Sequence, residues 1–133
     1  MTFLQRVLKL QAAFWALAGV ALTVAPGPVL EGVLDQPPIS ERAWVRVAGV
    51  CAVVLAMLMV LVGQRVADVW WWAWSFALLE AGVATVFALK AAFRLVPGAS
   101  AWSWWALAGV SAAFGALDLA GLARASREKP FVP

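Results

Sequence analysis

The sequence predicts an all-α membrane protein: a bundle of four antiparallel transmembrane helices, with a short amphipathic surface helix after the first. Three observations lead there. Of 133 residues, 65% are apolar and 13% charged, against roughly 45–50% and 25% in soluble chains. A soluble domain of this size leaves about a third of its chain surface in water, and this chain has too little polar surface to cover that share. Four segments hold the roughly 20 mainly apolar residues that cross a bilayer. All seven prolines lie outside these segments, so the spans lack proline kinks and differ from the broken helices of many transporters. Residues 1–133 read as a single transmembrane domain.

The first span covers about residues 3–25 and stops at Pro26-Gly27-Pro28. Arg6 and Lys9 before its apolar run imitate a signal peptide. The small-residue cleavage position at Ala25 is followed by Pro26, which disfavours cutting, so the segment reads as a retained helix. In the loop that follows, Val29, Leu30, Val33 and Leu34 recur at helical spacing, with Glu31 and Asp35 on another side. Residues 28–35 are therefore expected to form the amphipathic surface helix. The second span covers about 43–63, with Ser40 expected as its N-cap and Glu41 in its first turn. The third covers about 68–93, before Pro97-Gly98, and the fourth about 101–125. Connections of about five and about seven residues make consecutive spans antiparallel.

Orientation follows lysine and arginine. Arg6, Lys9, Arg65, Arg124, Arg127 and Lys129 share one side; Arg42, Arg46, Lys90 and Arg94 share the other. Six against four predicts a multi-pass protein of the cell membrane with both termini in the cytoplasm. The formal charge of +3 reflects this topology, and no basic run points to a nucleic-acid partner. Tryptophans mark the interfaces: Trp70, Trp71, Trp72 and Trp74 at one end, and Trp44, Trp102, Trp104 and Trp105 at the other. Indole favours the headgroup level, where its ring is apolar and its N–H wet. Trp15 falls at mid-bilayer, where its N–H needs a partner.

The chain repeats itself once. Residues 15–20 and 105–110 both read Trp-Ala-Leu-Ala-Gly-Val, and Ala-Gly-Val recurs at 48–50 and 81–83. Each span thus carries one such glycine. Gly19, Gly49, Gly82 and Gly109 are expected at close helix contacts, because small residues let helices approach in lipid.

Chemistry is sparse. The chain has no histidine, no tyrosine and a single cysteine. That excludes histidine-ligated haem, histidine–zinc sites and Ser-His or Cys-His catalytic pairs. No metal site, cofactor or enzyme activity is expected, and Cys51 reads as a small buried hydrophobe. Glu80 is the most informative residue. Counted from residue 68 it lies about twelve residues into its span, roughly 18 Å by helix rise, near the midplane. An acid there must face the bundle interior. Its candidate neighbours are Trp15, Ser75, Thr85 and Ser111. Asp118 is expected nearer the terminal end, level with Gln11, paired with Arg65 or Lys9, and roughly 10 Å or more in depth from Glu80.

The Pro-Gly-Pro stop, the 28–35 segment and the Arg46-x-x-Gly49 start of the second span resemble small bacterial four-helix membrane proteins of the DoxX-like group. The resemblance covers the layout of the whole chain. It implies an association with membrane redox or quinone-linked complexes, although this sequence has no redox ligand. Three functions fit the parts. One is a non-enzymatic accessory subunit or self-associating scaffold, as a homodimer or within a larger membrane complex. Another is a binder of lipid or quinone, with Glu80, Trp15, Ser111 and Asp118 as candidate ligand or proton sites. The third is a proton-coupled exporter that works as a dimer.

Overall fold

The structure, a computed structural model, describes residues 1–94 and 100–129. It is all-α. Helix α1 spans Thr2–Val24, a single π-helical segment Pro28–Val33, α2 Ala43–Gln64, α3 Val66–Val69, a 3₁₀ turn Trp70–Trp72, α4 Ala73–Phe93 and α5 Trp102–Glu128. Four segments are long and apolar enough to cross a membrane: Thr2–Val24, Ala43–Gln64, Val66–Phe93 and Trp102–Glu128. The Pro97-Gly98 stop lies outside the described residues.

The helices pack as two antiparallel hairpins, α1 with α2 and α4 with α5, joined mainly where α1 meets α5. Along that joint Leu4 lies against Gly121, and Phe14 meets Phe114 at 5.6 Å between ring centroids. The largest buried cluster draws Leu4, Leu8, Met59, Val62, Phe76 and Leu122 from all four spans. Many large apolar side chains stay exposed, such as Leu17, Trp44, Leu78 and Trp102. In a bilayer these meet acyl chains. Cys51 is among the exposed residues, on the lipid side of α2 and not buried as its composition suggested.

Two segments depart from the sequence expectation. The third span is not one helix. It opens with α3 and a 3₁₀ turn through the tryptophans. Aromatic side chains lose rotamer freedom in an α-helix, and a 3₁₀ turn repeats every three residues. That period keeps Trp70 and Ala73 both buried while Trp71 and Trp72 face outward. The segment after α1 forms a π turn, and it packs on protein as well as facing outward. Val29, Leu30 and Leu34 lie against Ala91, Phe87 and Trp104 at the far end of the second hairpin. Lys90 sits 4.3 Å over the Trp104 ring. Asp35 adopts a left-handed backbone (φ 52°), which Asp tolerates better than most residues. Its Oδ2 accepts the Ser100 N–H at 2.7 Å. Arg42 pairs with Glu31 at 2.8 Å. The start of α2 also differs: its N-cap is Arg42, and the Glu41 carboxylate, not Ser40, accepts the Ala43 N–H at 3.3 Å.

The N-terminus and the last described residues lie at one end of the bundle. The Met1 ammonium meets Glu128 at 2.6 Å, the Arg124 guanidinium covers the Phe3 ring at 4.2 Å, and Lys129 Nζ donates to the Ala67 carbonyl at 3.0 Å. Inside the spans Thr23 and Thr85 donate back to the carbonyls of Gly19 (2.8 Å) and Ala81 (2.7 Å), one turn earlier on their own helices. The buried Ser103 hydroxyl has no partner among the described residues.

Close packing is uneven among the four glycines of the repeat. A Cβ at Gly19 would fall 2.6 Å from the Gly49 carbonyl oxygen, and one at Gly49 would fall 2.7 Å from the Gly19 oxygen. The α1 and α2 backbones therefore touch there. Gly82 and Gly109 are exposed, with nothing within 4 Å of a Cβ. They do not form the close contacts expected of them, because the repeat fixes residue type but not which face of the helix it lands on. On α5 the contacting glycines are Gly115 and Gly121. A Cβ at Gly121 would reach 2.8 Å from Leu4 Cδ1.

Alanine at Gly19 or Gly49 is expected to destabilise the bundle by about 1–3 kcal/mol, the range for overpacking. Alanine at Gly82 or Gly109 should leave stability within about 0.5 kcal/mol, as lipid-facing substitutions do. Thermal melting of the four variants in detergent distinguishes the two pairs.

Candidate functional site

The site is built where α1, α4 and α5 meet. On α1, Gln11 and Trp15 are four residues apart, so they project from one face of the helix, one above the other. On α4, Glu80 follows Ala73, Phe76 and Ala77 along the same buried face. On α5, Gly115 and Asp118 lie one turn apart on the buried side. Gly115 faces Glu80 across the α4–α5 contact. Its Cβ position lies 3.5 Å from Glu80 Cβ, so α5 approaches α4 at the level of the glutamate.

Glu80 is fully buried. Its Oε1 accepts two hydrogen bonds from α1, from Gln11 Nε2 at 2.8 Å and from Trp15 Nε1 at 2.6 Å. Trp15, half-buried at mid-span, thus finds the partner its indole N–H requires. Gln11 and Asp118 are also completely enclosed. Asp118 lies one turn beyond Gly115, the residue that faces Glu80, and by geometry neither of its oxygens has a hydrogen-bond partner among the described residues. Glu80 Oε2 and Gln11 Oε1 likewise have none.

This geometry corrects the depth argument. Asp118 is three residues from Gly115, about 4.5 Å by helix rise, and Gly115 is the residue facing Glu80. Helix α5 runs on to Glu128, three residues beyond the expected end, so Asp118 sits deeper than its distance from residue 125 implied. It pairs with neither Arg65 nor Lys9. The ion pairs among the described residues are Met1–Glu128 and Arg42–Glu31, both at the ends of the bundle. The two carboxyls belong to one cluster.

Ser111 is buried, one turn before Gly115 on α5, but it does not bond to Glu80. Ser75 and Thr85 turn back to their own helix. Gln11, whose amide lies between the two acids, is the member that sequence reasoning undervalued. A glutamine in an apolar run, four residues before a mid-span tryptophan, is the signal that would have found it. Among the described residues no group of three or more His, Cys, Asp or Glu side chains could hold a metal ion.

Two open apolar grooves flank this region. One, of about 380 Å³, is lined by Trp15, Leu78, Leu79, Gly82, Val83, Val86 and Phe87. The other, of about 440 Å³, runs between α1 and α2 past Ala12, Ala16, Val53 and Met57, with Lys9 on its wall. Neither is lined by Glu80 or Asp118.

Comparison with protein-family models, curated proteins and solved structures finds no match to this chain.

Replacing Glu80 with leucine should leave the Gln11 amide and Trp15 indole without an acceptor, at about 1–3 kcal/mol for each orphaned donor. Glutamine at the same place keeps a carbonyl oxygen that can accept from both donors, and should lose less than leucine does. Melting of the two variants beside wild type in one detergent measures the order: wild type, Glu80→Gln, Glu80→Leu.

Proposed function

We propose that this chain is a non-enzymatic membrane subunit, an accessory or self-associating scaffold, with both termini in the cytoplasm. One observation carries the reading. Glu80, the deepest acid, is enclosed and has its bonded oxygen committed to α1. It works as a clasp between the two hairpins, and neither of the two grooves described above is lined by it. The surface left over is apolar and includes Gly82 and Gly109 with open space above them. Glycines exposed to lipid are where a further helix can approach closely, from a second copy or another membrane protein.

The lipid- or quinone-binding alternative has one observation in its favour, the two open apolar grooves. Their sizes fall in the range of roughly 300–1,000 Å³ typical of ligand pockets. The polar group meant to orient that ligand does not reach either groove. The DoxX-like resemblance rests on layout alone and adds no residue to the choice.

Mass-spectrometric inventory of the purified chain is expected to show a second copy or a membrane-protein partner at fixed stoichiometry. An equimolar quinone or lipid species in its place would overturn the scaffold reading. For topology, reporters active only in the cytoplasm should work when fused at either terminus and fail when inserted in the loop near Pro37.

A further inference from the structure

The junction of α1, α4 and α5 has more hydrogen-bond acceptors than donors. Glu80 Oε2, Gln11 Oε1 and both Asp118 oxygens are sealed from solvent and accept nothing. The two donors found there, Gln11 Nε2 and Trp15 Nε1, both point to Glu80 Oε1. The surroundings supply no cation. From α1 the cluster meets Gln11 and Trp15, and Lys9 turns instead to the groove between α1 and α2. From α5 come Asp118 and, a turn beyond Gly115, Ser111. Helix α2 brings apolar side chains such as Ala56 and Met59 to the core around it. Among the described residues the ion pairs are Met1–Glu128 and Arg42–Glu31, so neither carboxyl of the cluster pairs with a lysine or arginine.

Two ionised carboxylates and four idle acceptors in an apolar core would be expensive on both counts. Two hydrogens correct both at once. Two of the four oxygens become donors, the other two remain acceptors for them, and the net charge is zero. The Gln11 oxygen makes this more than an acidic pair. An amide oxygen is always an acceptor, it is fully buried, and it calls for an O–H.

We propose that Glu80, Gln11 and Asp118 form an intramembrane proton-binding site, which holds two exchangeable protons where the hairpins meet. Gln11 is then bonded at both ends, donating through Nε2 to Glu80 and accepting at Oε1 from a carboxyl O–H. The proposal rests on the clasp reading of Glu80 and adds its control: with both protons withdrawn, two like charges face each other at the joint between the hairpins.

Infrared difference spectroscopy of the full chain in lipid nanodiscs, exchanged between H₂O and D₂O at neutral pH, tests this. Wild type should show two protonated-carboxyl C=O components that shift on deuteration. Labelling with ¹³C-glutamate should move one component and leave the other, an assignment that needs no variant. Asp118→Asn should remove the unlabelled component, and Gln11→Leu should shift the frequencies without abolishing the bands. Carboxylate bands alone at neutral pH would overturn the proposal, as would a melting temperature raised by sodium over choline together with loss of the protonated bands, since a cation would then occupy the site. Failure of the clasp reading looks different: Glu80→Leu would melt like wild type while the wild-type bands persisted.

Discussion

Inside hydrocarbon, helices gain nothing by hiding apolar side chains from lipid, because lipid is equally apolar. What joins the two hairpins must therefore come from close packing and from polar groups that can find partners nowhere else. Glu80 is such a group. It accepts from Gln11 and Trp15, one turn apart on α1, and two points on one helix fix both its rotation and its height against α4. With α1 so placed, Leu4 seats over Gly121, Phe14 meets Phe114, and the first residue comes within reach of Glu128. A one-residue shift of α1 would rotate Gln11 and Trp15 away from Glu80 by about 100°, given 3.6 residues per turn.

The hairpins themselves are held differently. The first closes backbone to backbone, with Gly19 and Gly49 in contact and the Thr23 hydroxyl tied back to Gly19. The second leaves Gly82 and Gly109 open and has Gly115 packed against Glu80 in the interior. Its far end is closed by the π turn and by Lys90 over Trp104. One hairpin is tight and plain, the other accommodates a polar residue. The joint between them is where polar chemistry concentrates.

Much of the architecture was legible because it depends on run length and on proline, both linear properties of the chain. Four apolar runs, with every proline between or beyond them, allow little but a four-helix bundle. The site was legible in part. Glu80 and Trp15 stood out because each is expensive at mid-span without a partner. Asp118 was misplaced because depth was counted from assumed helix ends, whereas it is set by the register between helices, here Gly115 against Glu80. Gly82 and Gly109 were misjudged for a related reason. A repeated tripeptide identifies small residues, but which face they occupy depends on how each helix is rotated. The 3₁₀ turn at Trp70–Trp72 and the Glu41 cap depend on local side-chain competition, which apolar periodicity does not register.

The position of the polar cluster bears on what it can do. Toward the termini it is closed off by Leu4, Leu8, Val62 and Leu122. Beside it, Phe14 and Phe114 seal the joint between α1 and α5. Neither flanking groove reaches its carboxyls. A transport site needs a polar or wet path to each face of the membrane in turn, because an ionisable group without one is isolated by hydrocarbon. Toward the termini and along the α1–α5 joint this cluster has apolar side chains. An acid placed this way accords with the scaffold role proposed above.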